Sequence, residues 1–202
     1  MRRLAFTLLA ALFIPSLTAY AHADEDVIIT PGHPVWLLER PDVDSPMLTT
    51  ARTFGDSAYN DFHTNASLEI SCHPQNPTAG LALQITPQTL GFDIEPFHGK
   101  DASTSGPLRV TTGARTAIEL AVNGAWTYAG SFQIGTVFAF SAHVPRDELA
   151  YLASDASQGQ TLKLLLTPAI AGGKPLTATF TLPANNDGLK KVIQPCLGTA
   201  GA

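Results

Sequence analysis

Gln160-Thr-Leu-Lys-Leu-Leu-Leu-Thr-Pro168 and Leu176-Thr-Ala-Thr-Phe-Thr-Leu-Pro183 are the two runs whose reading decides the fold. The first is largely apolar and reads as a strand. In the second, Leu176, Ala178, Phe180 and Leu182 alternate with Thr177, Thr179 and Thr181, the period of a strand with one buried face. Between them Gly172-Gly173 supplies a turn that tolerates positive φ. Asn185-Asn186-Asp187 then offers N-cap oxygens, and Leu189, Val192, Ile193 and Cys196 recur at i, i+3, i+4 and i+7. This spacing predicts a short terminal helix with Cys196 on its buried stripe.

Only one other cysteine exists, Cys72, with 123 residues between the two. Two cysteines in an exported chain most often pair. In the chain-entropy picture, closing a loop of that length stabilises by roughly 4–5 kcal/mol. The alternative is an unpaired reactive thiol, which needs a polarising neighbour. His73 is adjacent to Cys72, but neighbours along a strand point to opposite faces. The expectation is a Cys72–Cys196 disulfide.

Export itself is read from the first residues. Met1-Arg2-Arg3 is a positive n-region, Leu4 to Leu17 is apolar apart from Thr7, Pro15 and Ser16, and Ala21-His22-Ala23 gives a small-x-small cleavage pattern. The run is shorter than the ~20 apolar residues of a membrane span. No lipobox cysteine sits at the cleavage site. Removing residues 1–23 leaves 10 Lys and Arg against 17 Asp and Glu, a net charge of −7. No basic cluster is present, which argues against nucleic acid and anionic membranes as partners. The expected home of the mature chain is the periplasm.

Residues 24–66 read as an extended arm, punctuated by Pro31, Pro34, Pro41 and Pro46, with Trp36 as its anchor on the body. Residues 67–197 read as one β-rich domain. Leu68, Ile70 and Cys72 share one face of a strand, and Gly80–Thr86 pairs with it as a hairpin. Pro87–Gly106 reads as a long polar connection. Leu108–Thr112 and Thr116–Val122 follow as strands. Asn123-Gly124 is the strongest short turn signal, with Trp126-Thr-Tyr128 continuing as the partner strand. Gly135–His143 is another strand. Pro145–Ala153 begins with proline and acids in its first turn, which marks a helix start. The predicted fold is mainly β, a β-sandwich or curled antiparallel sheet, with two short helices, one of them C-terminal.

Residues able to carry chemistry are few. Gly55-Asp56-Ser57 invites comparison with the GDS-type esterases, but nucleophilic serine needs a histidine held by an acid. No histidine follows His143, and no Asp-x-x-His occurs. Asp61-Phe62-His63 with His73 is the nearest approach to a metal set, and His98 stands alone; none has supporting ligand spacing. Glu69 and Glu119 lie on the polar faces of alternating strands and would form a glycosidase-like pair only if those strands were neighbours. Among the aromatics, Phe138 and Phe140 read as core. Trp126 and Tyr128 rank first as a protein interface, with Trp36 next. No catalytic residue, metal or cofactor is implied.

The order of Trp36, Leu68-Glu-Ile-Ser-Cys72, Trp126, Phe180-Thr-Leu182, Gly188-Leu189 and the helix-borne Cys196 resembles small periplasmic proteins associated with type VI secretion systems. The resemblance implies a non-catalytic binding module, an immunity protein or accessory whose partner is a secreted effector or secretion component. The alternatives are a small envelope hydrolase using Ser57, and a structural or solute-binding envelope protein with the 87–106 connection as its lid.

Overall fold

The computed structural model describes residues 33–39, 49–73, 76–99, 107–130, 135–168 and 172–198. The leader at 1–23 and its cleavage site lie outside them, as do 24–32 and 40–48 of the expected arm. The described chain forms β1 (Leu37–Glu39), β2 (Thr49–Tyr59), β3 (Phe62–His73), β4 (Asn76–Ile85), β5 (Leu108–Thr112), β6 (Ile118–Leu120), β7 (Val122–Tyr128), β8 (Thr136–His143), β9 (Thr161–Leu166) and β10 (Leu176–Thr181). Three α-helices accompany them: α1 (Pro87–Leu90), α2 (Arg146–Leu152) and α3 (Asp187–Leu197).

The opening stretch folds as read. β9 and β10 pair antiparallel from Leu166↔Leu176 to Thr161↔Thr181, and Leu189, Val192, Ile193 and Cys196 are the buried residues of α3. One detail differs at the start of α3. Asn186 occupies the N-cap position without capping, because its side chain is engaged elsewhere. Instead Asn185 Oδ1 accepts from the Asp187 amide at 2.7 Å.

The strands form one antiparallel sheet in the order β6-β5-β9-β10-β2-β3-β4-β8-β7, with β1 beside β2. Leu120 ends β6 at one edge, and Val122 begins β7 at the other. Only Ala121 separates them. Two trans-linked residues span at most about 7 Å, so the two edges meet there and the sheet curls nearly into a barrel. Of the two predicted arrangements, the curled sheet is the one formed.

Register then decides the inside. Leu68 lies opposite Leu83, which lies opposite Phe140; Ile70 lies opposite Leu81 and Ala51. On the far wall Phe180 faces Leu162, and Leu164 faces both Ala178 and Val110. All of these are buried and belong to one continuous core. α3 packs on this inner face against β2, β3 and β4. The disulfide is formed: Cys72 and Cys196 are bonded, with Cα atoms 5.9 Å apart.

Three readings need correction. First, the arm does not run to residue 66: from Thr49 onward the chain is sheet, β2 pairing with β3 along all 11 of its residues. The inward positions of β2 are Thr49, Ala51, Thr53, Gly55, Ser57 and Tyr59. They are mostly small because neighbours crowd them. A Cβ on Gly55 would stand 2.2 Å from the Thr179 carbonyl and 2.6 Å from the Phe180 ring. Apolar alternation is therefore absent from a strand in the middle of the sheet. Second, residues 87–99 are not a polar connection. α1 and a 3-10 turn at Glu95–Phe97 bury Leu90, Phe92, Ile94 and Phe97, and Phe92 and Phe97 pack on Phe140 with centroids 6.1 and 5.4 Å away. Third, Asn123-Gly124 is not a turn but lies inside β7. Gly124 is required by proximity: an added Cβ would meet the Phe138 ring and the Phe97 carbonyl at 2.5 Å.

Candidate binding surface

β7 is an edge strand, and its inward row is Val122, Gly124, Trp126 and Tyr128, set by pairing with Ala142, Phe140, Phe138 and Thr136. The row runs from the core outward. Val122 is buried, whereas Trp126 is 40% and Tyr128 68% exposed. The Trp126 ring stands edge-on to Phe138, centroids 5.5 Å apart, and His98 approaches the same phenyl ring at 5.9 Å. One side of the Trp126 ring is thus anchored on the core while the rest meets solvent, an arrangement that presents a large apolar surface with little rotamer freedom to lose.

The backbone of β7 is paired along one side. Its inner neighbour is β8; on the other side, among the described residues, it is met at Gly124, by a parallel bridge to His98 and the Gly99 amide donating to its carbonyl at 3.3 Å. No residue of Val122–Tyr128 is charged or proline, so two of the usual devices that blunt an edge strand are missing from it.

Trp36 is not part of this surface. It is buried, and its indole N–H donates to Asn186 Oδ1 at 2.9 Å. Asn186 Nδ2 in turn donates to the Ser154 carbonyl at 2.8 Å and to Ser157 Oγ at 3.0 Å. Trp36 thus anchors the segment before β1 on the start of α3. That matches its reading as an anchor and removes it as an interface residue.

The chemical alternatives are not assembled. Ser57 is buried on the inner face and donates to the Thr64 carbonyl at 3.0 Å. His63 lies opposite Ala58, hence on the other face of the same hairpin. Glu69 on β3 and Glu119 on β6 are not neighbours in the sheet; Glu119 lies opposite Arg109. Among the described residues no three His, Cys, Asp or Glu side chains converge on a common point.

Glu69 belongs instead to a cluster that the sequence did not reveal. Arg52 on the outer face of β2 is 2% exposed. Its Nε lies 3.1 Å from Glu39 Oε2, and its Nη2 donates to Glu69 Oε2 at 2.6 Å. Its Nη1 donates to the Ala129 carbonyl. Gln84 Nε2 reaches Glu69 at 3.4 Å and its Oε1 accepts from Ser67 at 2.9 Å. A buried guanidinium with two carboxylates is held across β1, β2, β3 and β4, under the chain that leaves β7. The outer face here is therefore not the solvated surface that alternation suggests. Gly130 is required for it, since a Cβ there would come within 2.7 Å of the guanidinium. The signal lay in Arg52 as the one cation of a strand whose other charge is Asp56, but nothing local names its partners.

No protein-family model, no curated protein and no solved structure matches the chain.

Proposed function

We propose that this chain is a non-catalytic binding protein of the periplasm that engages a protein partner through the exposed end of β7. The observation that carries the reading is the pairing of two exposed aromatics, Trp126 and Tyr128, with an uncharged strand edge, on a body where Ser57 and His63 lie on opposite faces of their hairpin. Aromatic side chains fixed at one end and open at the other are the commonest anchors of protein interfaces. The disulfide and the absence, among the described residues, of a helix long and apolar enough to cross a membrane accord with export. The resemblance to type VI secretion-associated proteins makes a secreted effector or a secretion component the partner of first choice, in an immunity or accessory role.

The test is capture from periplasmic extract by the purified mature chain, compared with a Trp126→Ser, Tyr128→Ser variant whose melting transition remains cooperative. A specific protein retained by the first and lost by the second supports the reading. Equal retention by both moves the interface elsewhere. Ester hydrolysis by the purified chain that disappears in Ser57→Ala would overturn it.

A further inference from the structure

A cleft of about 400 Å³ opens beside the disulfide. Its walls are Ala79 of β4, Val144 and Leu149 around the start of α2, and Pro195, Cys196 and Gly198 at the end of α3, with Arg146 beside them. Cys196 lines this cleft and Cys72 does not. The asymmetry follows from the architecture. Cys72 sits on the inner face of β3 between Thr49 and Ala79 and is 2% exposed, whereas Cys196 rides on the last turn of α3 and is 9% exposed. Of the two sulfur-bearing residues, Cys196 is thus the one that the cleft exposes.

Arg146 gives that approach a charge. Its guanidinium lies against Gly198, 3.2 Å from where a Cβ would stand, and it forms no ion pair among the described residues. Asp147, next along α2, is not among the lining residues. The carbonyl end of α3 carries roughly half a negative charge, which disfavours an anion there. The full positive charge of Arg146 outweighs it. A thiolate, the nucleophile of disulfide exchange, is favoured by a neighbouring cation.

We infer that this cleft is the route by which an external thiolate reaches the disulfide of the folded protein, and that Cys196 is the sulfur it attacks. The thiolate sulfur bonds to the Cys196 sulfur as the Cys196–Cys72 bond breaks. The bonding pair leaves on Cys72, which takes a proton from water. The product is a mixed disulfide on Cys196 and a free thiol at Cys72, with no net oxidation or reduction in this step. The co-reactant is a thiol of low mass or one carried on an extended segment, and an anionic thiol is preferred because of Arg146.

The experiment uses the folded, oxidised mature chain in native buffer with glutathione, an anionic thiol, or cysteamine, a cationic one. Samples are quenched early by acid and alkylation, and adducts are placed by peptide mass spectrometry. The expected adduct is on Cys196, with Cys72 alkylated and a rate proportional to thiol concentration. Arg146→Met should slow glutathione about threefold or more, as loss of a surface charge interaction of under ~1 kcal/mol allows, and leave cysteamine unslowed. A purely structural role for Arg146 would move both thiols together. Adducts chiefly on Cys72, a rate independent of thiol concentration, no adduct while the fold persists, or equal effects on the two thiols would each overturn the inference.

Discussion

Trp36 and Asn186 are 150 residues apart in sequence and joined by a buried hydrogen bond of 2.9 Å. Asn186 is a shared acceptor and donor: it receives the indole proton and gives its own to Ser154 and Ser157. One amide therefore ties the segment before β1, the turn after α2 and the residue that precedes α3 to one point. Trp36→Phe keeps most of the ring and removes the donor, leaving the Asn186 oxygen short of a partner. The expected loss is about 1–3 kcal/mol, and Asn186→Leu should cost at least as much because three hydrogen bonds are lost at once. Urea unfolding followed by far-UV circular dichroism measures both. A change below about 0.5 kcal/mol, the usual size of surface substitutions, would show that the bond is not a fastening.

Replacing Cys72 or Cys196 with serine releases α3 from the sheet. Stability should fall by about 2–5 kcal/mol, and limited proteolysis should cut first at the C-terminal end. Thiol titration of the denatured, unreduced mature chain should find no free thiol. Two free thiols would remove the account of how α3 is held.

Arg52→Met should be among the most destabilising single changes outside the core. It leaves the carboxylates of Glu39 and Glu69 without their counter-charge, and breaking such a buried pair costs about 3–5 kcal/mol. Changing Arg52, Glu39 and Glu69 together to methionine, glutamine and glutamine should cost less than Arg52→Met alone, because no uncompensated charge then remains. If the triple variant is the weaker one, the cluster matters for its hydrogen bonds and packing rather than its charge balance.

Gly124→Ala introduces one methyl group where the Phe138 ring and the Phe97 carbonyl already stand at 2.5 Å. Either β7 must move outward or the 87–99 segment must lift. The expected cost is about 1–3 kcal/mol, with faster hydrogen exchange at His98 and Gly99 than at the distant β9–β10 pair. Thermal melting and exchange mass spectrometry check the two parts separately. Wild-type exchange at Gly99 would contradict the packing described.

The sequence by itself determined what rests on local period and turn chemistry. Alternation in Leu176–Leu182 and the i, i+3, i+4, i+7 stripe from Leu189 to Cys196 produced β10 and α3 as read, because each buries its apolar row on one partner. The expectation of export and the count of two cysteines pointed to the disulfide that the structure forms. Trp126 and Tyr128 are exposed as read, but as the outer end of an edge strand and not as residues after a turn. What tertiary structure decided lies where neighbours, not composition, select the residue. β2 carries small inward side chains because Thr179 and Phe180 occupy the space beside Gly55, so a central strand shows no hydrophobic alternation. Asn123-Gly124 has the composition of a turn, yet Gly124 lies within β7 because Phe97 and Phe138 press on it. Arg52 is bound by residues 13 and 17 positions away along the chain and by a carbonyl 77 positions on. A guanidinium's partners are set by which strands lie side by side, and that order is a property of the curled sheet, not of any segment within it.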